Sequence, residues 1–137
     1  MDDIIFVDNS KEVLAALGGA IIRALERCGM QAEGYAKDNL TMLWAVDTGN
    51  LRNSITHKLE PDGKAVQIGT NIEYAPYVEL GTGKYAEGGR KDPWVYQDDE
   101  GRWHHTNGQR AQPYLKPAVE DHKQTYRNII EDEMKNA

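Results

Sequence analysis

From Ser10 to Trp44 apolar residues recur every three or four positions, at Leu14, Leu17, Ile21, Leu25, Cys28, Ala32, Ala36, Leu40 and Leu43. That spacing returns side chains to one face of an α-helix, so the first third of the chain predicts one long amphipathic helix with a single buried stripe. Ser10 suits its N-cap. Gly18, Gly19, Gly29 and Gly34 fall inside it, and each weakens an isolated helix by about 1 kcal/mol relative to alanine. The helix therefore needs a packing partner, and Cys28-Gly29 is its expected bend.

The period then changes. Asp47-Thr48-Gly49-Asn50 has turn composition, and Leu51, Ile55 and Leu59 alternate with polar residues as in a half-buried strand. Pro61-Asp62-Gly63 supplies a turn into a second strand carrying Val66 and Ile68. Tyr74, Tyr77 and Val78 share helical spacing before a Gly81-Thr82-Gly83 stop, predicting one short helical turn. Lys84 to Asp92 is glycine-rich and charged, and reads as an exposed loop. Trp94 to Gln97 and Arg102 to Thr106, around an acidic glycine turn, predict a second hairpin whose tryptophans, Trp94 and Trp103, can face each other across the pair. Pro113 and Pro117 bracket the start of a last helix, with a stripe of Leu115, Ala118, Val119, Tyr126, Ile129, Ile130 and Met134. The expected fold class is α+β: a long N-terminal helix and a C-terminal helix packed on a small antiparallel sheet, with a protruding hairpin or loop. The 137 residues suit one domain, with an N-terminal arm at 1–9 and a loop-and-hairpin excursion at 84–110.

The balance of charges narrows the partners. With 16 basic and 22 acidic residues the net charge is -6, which opposes binding that depends on neutralising nucleic-acid phosphates. The start of the chain has neither the basic region nor the apolar length of a secretory signal, and no apolar run is long enough to span a bilayer. Cys28, the single cysteine, has no partner for an internal disulfide and fits a reducing compartment. Neither nucleic acid nor a membrane is expected as a partner.

Few residues invite chemistry. Asp47-Thr48-Gly49 resembles the catalytic turn of a homodimeric aspartic-type protease, but it follows the end of a helix instead of an apolar strand, so a turn role is preferred. His57, His104, His105 and His122 lack ligand spacing, and the adjacent His104 and His105 point to opposite faces of a strand, so no metal is expected. Gly81-Thr82-Gly83-Lys84 lacks the glycine spacing of a phosphate loop. No catalytic residue and no cofactor is assigned. Arg52 and Glu79 are a candidate buried pair. Trp94, Tyr96 and Trp103 form the densest aromatic cluster, and on a protruding hairpin they are a candidate interface.

Four segments taken in order, Val46 to Ile55, Ile68-Gly69-Thr70, Tyr74 to Thr82, and Gln112 to Ala118, resemble the minor-tail and tail-completion protein family of long-tailed bacteriophages. The resemblance runs over nearly all of Ser10 to Met134. It implies an α+β subunit of the virion neck or tail that assembles as a ring, such as a hexamer, with the tail-tube or head-connector proteins as partners and the host cytoplasm as the site of assembly. Asp47, Thr48, Gly49, Leu51, Arg52, Tyr74, Ala75, Val78, Glu79, Gly81 and Thr82 are the matching motif residues, with structural roles and no catalysis implied. The alternatives are the protease above and a cytoplasmic adaptor unrelated to virions.

Overall fold

The computed structural model describes residues 8–43 and 48–137. Helix α1 (Ser10–Thr41) is 32 residues long, about 48 Å at the usual rise. A short helix α2 (Thr48–Ser54), a hairpin of β1 (Thr56–Leu59) and β2 (Val66–Gly69), and helix α3 (Ala75–Leu80) follow. A 3-10 turn (Gly83–Tyr85) leads into a second hairpin of β3 (Trp94–Gln97) and β4 (Trp103–Thr106), and the chain ends in α4 (Leu115–Glu120) and α5 (Lys123–Lys135). The architecture is α+β, with a long N-terminal helix, C-terminal helices and two separate two-stranded antiparallel sheets.

What α1 buries is small. Its buried residues are Ala20, Ala24, Cys28, Gly29, Ala32, Ala36 and Leu40, which lets backbone from two sides come close. The β1–β2 hairpin and the α4 and α5 helices all pack on this helix. At Gly29 the approach is tightest: a Cβ there would lie 2.7 Å from His57 Cδ2 and 2.7 Å from Val66 Cγ2. Gly29 is thus a notch for the hairpin, and α1 runs unbroken through the expected bend at Cys28-Gly29. His57 seats in that notch with Nε2 3.1 Å from a Glu26 carboxylate oxygen and Nδ1 3.7 Å from Glu33. On the other side Arg23 pairs with Glu133 at 3.1 Å and Arg27 with Asp132 at 2.8 Å, Tyr35 stacks on His122 at 3.5 Å, and the Cys28 thiol lies 3.8 Å from the Tyr126 carbonyl. Burial pushes the Cys28 thiol and the Tyr126 phenol up, the latter to about 12.

The larger core side chains gather at the far end of α1, where Leu40 meets Leu51, Ile55, Ala75, Tyr114 and Ala118. Several expectations are corrected there and along α1. Residues 51–54 are helical, not the first half of a strand; Leu51 and Ile55, four apart, are equally one helical face, and both are buried. Leu14 and Ile21 belong to the expected stripe yet are 68% and 42% exposed, because the cover over α1 begins only at Ala20. The N-cap is Asn9, with the Ser10 amide donating to Asp8. The last helix is two, broken at Asp121 and His122, and Val119, Ile130 and Met134 of its stripe are exposed. Tyr77 points to solvent, while Tyr74 and Val78 pack against the core. Trp94 pairs with Thr106 and Trp103 with Gln97, so the tryptophans sit at opposite ends of the second hairpin.

Two outcomes test this packing. Gly29→Ala is expected to lose about 1–3 kcal/mol through the clash, whereas Gly34→Ala, with nothing within 4 Å of its added Cβ, is expected to gain up to about 1 kcal/mol; thermal unfolding of both variants reads the difference. The second concerns Glu133, whose carboxyl is held below its ordinary value of 4.5 by hydrogen bonds from Arg23 and Arg27. A depressed native value means that the unfolded chain binds more protons. The clasp's contribution is therefore fully present above the ordinary carboxylate value and fades as pH falls through the native one. Urea midpoints followed from about pH 6 to about pH 3 should drop less steeply in the Arg23→Ala/Arg27→Ala variant.

Candidate assembly surface

Leu51, Tyr74, Ala75, Val78 and Glu79 of the motif meet at one junction beside Tyr114. Glu79, from α3, accepts the backbone N–H groups of Tyr114 at 2.6 Å and Leu115 at 3.0 Å through Oε2, and that of Lys116 at 2.9 Å through Oε1. These are the donors that open α4, and a helix start has no internal partners for them. A carboxylate placed there also meets the positive end of the helix. Glu79 therefore joins the third element of the motif to the fourth by capping α4, and not by pairing with Arg52, which is exposed. Tyr114 is fully buried beneath this cap; its hydroxyl donates to the Ala75 carbonyl at 3.3 Å, and its own carbonyl accepts from Asn39 of α1 at 3.1 Å. Burial, with Glu79 and Tyr74 nearby, raises the Tyr114 phenol to about 12.

Directly beyond Glu79 the chain is clamped to its own return. The Gln112 amide donates to Val78 at 2.8 Å, Thr82 to Gln109 at 2.9 Å, and Lys84 to Asn107 at 3.1 Å. The Thr82 hydroxyl accepts from the Gln109 amide at 2.8 Å. Gly81 makes this possible: its φ is +80°, and a Cβ would stand 2.9 Å from both the Ala111 nitrogen and the Gln109 oxygen. Gly81 and Thr82 are thus the hinge pin of a closed base from which the second hairpin projects. Leu51 and Ala75 are core residues, and Val78 packs on that core. Ser54 links to Thr70 by a hydroxyl hydrogen bond, and the Thr70 oxygen accepts from the Ile72 amide at 3.1 Å, which fixes the way the chain enters α3. Gly49 lies in α2; Thr48 opens that helix, and Asp47 and Trp44 lie outside the described residues.

The projecting hairpin is exposed on both faces. Val95 is 59%, Tyr96 46% and Trp103 69% exposed, while Trp94 is half-buried at its base. Tyr96 stacks on His104, opposite it in the register, at 5.2 Å. Asp98 ties the tip, accepting from His104 at 2.7 Å and from the amides of Glu100 and Arg102, and the His104 hydrogen bond holds its carboxyl below the usual range. Sequence reasoning placed the hairpin and its aromatics, but not the Glu79 cap. The signal was present in the order of Glu79 and the Tyr114-Leu115-Lys116-Pro117 helix start; nothing local to either segment marks the other as its partner.

Helices clasping one small hairpin, and a second hairpin held out on a closed base, define a small α+β structural subunit. Residues 7–81 match the HK97-gp10-like family model, described as "Bacteriophage HK97-gp10, putative tail-component", and the chain belongs to this family of bacteriophage tail components. The match ends at Gly81, so it takes in α1 through α3 and stops where the clamped excursion begins. No curated protein and no solved structure matches the chain.

Removing the cap should be costly. Glu79→Ala is expected to destabilise the protein by about 1–2 kcal/mol, since it removes the cap from three helix-start N–H donors, two of them part-buried, and Glu79→Gln should lose less because the amide oxygen still accepts; chemical denaturation compares the two.

Proposed function

We propose that this tail component completes the tail, or joins the tail to the head, as a ring of like subunits. The observation that carries this reading is the family match over α1 to α3 joined to the amount of apolar and aromatic surface left in water, at the start of α1 and on the second hairpin. Monomeric proteins rarely leave such residues uncovered in contiguous patches, and aromatic side chains are enriched where subunits meet. A ring closes when each subunit presents two different surfaces that fit one another. The tail-tube and head-connector proteins are the proposed further partners, and the virion neck or tail the proposed location. Among the described residues no helix is long and apolar enough to cross a membrane, and no group of three or more potential metal ligands occurs. The net charge of -6 would keep such a ring from gripping DNA that passes through it.

In a phage lacking this gene, full heads and tails are expected to accumulate unjoined, or tails to lose their regulated length, as seen by electron microscopy of lysates. Purified protein should gain mass in light scattering, alone or with the tail-tube protein added. Normal infectious particles without this polypeptide would overturn the reading.

A further inference from the structure

The excursion stands apart from the core. None of residues 84–113 is buried, and among the described residues its backbone hydrogen bonds to the rest of the chain are those of the clamped base, reaching no farther than Val78. What the base holds out is a two-stranded hairpin with both faces in water, an arrangement that is marginal by itself and gains from further strands. The register fixes which groups a further strand would meet. The Asp98 amide donates to the Arg102 carbonyl across the turn, and bonded pairs alternate with non-bonded ones in an antiparallel ladder. Tyr96–His104 and Trp94–Thr106 are therefore the bonded pairs, and Val95, Gln97, Trp103 and His105 turn their N–H and C=O groups outward. No hydrogen bond among the described residues uses those outward groups.

Both edges also lack what usually blocks pairing, which is a charge or a proline within the exposed strand. β3 reads Trp-Val-Tyr-Gln and β4 reads Trp-His-His-Thr; neither contains a Lys, Arg, Asp, Glu or Pro, although 28% of the chain is charged. The first hairpin, already packed on α1, carries Lys58. Charge then selects which edges fit. Against β3 of a second copy, antiparallel and at full overlap, β4 brings Arg102 beside Asp98 and Asp99 of that copy, and Asp99 has no ion pair of its own among the described residues. Pairing β4 with β4 would set Arg102 beside the uncharged Asn107, and pairing β3 with β3 would set Asp99 beside Asp92. Unlike edges are thus the complementary ones. Copies related by rotation about one axis point the same way along it, so unlike edges are also the ones that a ring brings together.

We propose that the second hairpins of neighbouring copies join edge to edge, β4 of each against β3 of the next, into a continuous antiparallel band. The band rests on the ring reading above and specifies which surfaces meet. Main-chain hydrogen bonds supply the affinity of a contact of this kind, and Val95, Tyr96 and Trp103, exposed in the single subunit, gain cross-strand neighbours. A closed band leaves no open edge to recruit further strands.

Single added cysteines test the contact, since the native Cys28 is buried. Full-length Val95→Cys and His105→Cys chains are mixed, alone and with the tail-tube protein, and oxidised mildly; the expected product is a disulfide dimer holding one chain of each kind, identified by mass. Val95→Cys mixed with Trp103→Cys covers a slip of two residues. In sedimentation velocity, His105→Pro removes an outward N–H and no bond within the hairpin, and is expected to weaken association by about tenfold or more. His105→Ala keeps that N–H and is expected to stay near wild type; circular dichroism of each variant establishes that it is folded. Dimers of like chains only, oligomers that form without any cross-link, or a loss in His105→Ala as large as in His105→Pro overturn the band while leaving the ring reading intact. A wild-type chain that stays monomeric at every concentration, with and without the tail-tube protein, overturns both.

Discussion

Everything in this fold is arranged around how closely two layers can approach α1. Alanines, one cysteine and one glycine on its buried face leave room for the β1–β2 hairpin on one side and for α4 and α5 on the other. A leucine-lined face would have held both layers farther off and buried more apolar area for each contact. The consequence of small residues is a thin core, since burial of an alanine contributes far less than burial of a leucine or isoleucine. Dense packing offsets part of that deficit, because close-packed interiors gain from many short contacts.

Polar links supply what the thin core lacks, and they are concentrated where elements distant in sequence must be held in register. Arg23 and Arg27 reach Asp132 and Glu133 across more than a hundred residues of chain, while Tyr35 stacks on His122 and bonds to Thr125. The arginine pairs are exposed and individually weak, and the Tyr35 contacts are half-buried. Glu79 differs because its three hydrogen bonds go to backbone donors at a helix start, which would otherwise be left unsatisfied beside the buried Tyr114 ring. Tyr114 in turn contacts α1 and α3 through Asn39 and Ala75. One carboxylate thus ties the C-terminal helices to the part of the chain that carries the family motif.

Elements with their own periodicity were legible in the sequence: α1, both hairpins and the Gly81 stop stand where spacing and turn chemistry put them. Two kinds of information were not. Leu51 and Ile55 satisfy a helical and an extended reading at once, because residues four apart share a face in both, and only packing against Leu40 and Tyr114 decides between them. The burial of α1 was misplaced for a different reason: periodicity marks which side of a helix is apolar, but not how far along that side a partner extends. Leu14 and Ile21 are on the expected face and are still exposed. Of the site, Glu79, Gly81, Thr82 and the hairpin aromatics were singled out by residue, while the cap and the clamped base had to come from tertiary geometry, since each joins segments about thirty residues apart.

That mismatch between an apolar face and its cover bears on why the chain is built this way. Apolar surface that a subunit's own core leaves uncovered is surface whose removal from water would favour association. Here the α1 stripe outruns its cover, and the second hairpin stands on a backbone clamp that keeps Tyr96 and Trp103 away from the core. The clamp matters as much as the exposure. Without the Val78–Gln112 and Thr82–Gln109 bonds the excursion would be a flexible loop, and ordering it on contact would cost conformational entropy that the contact itself would have to overcome. In the assembly proposed above, fixing the base beforehand would remove that cost from the docking step.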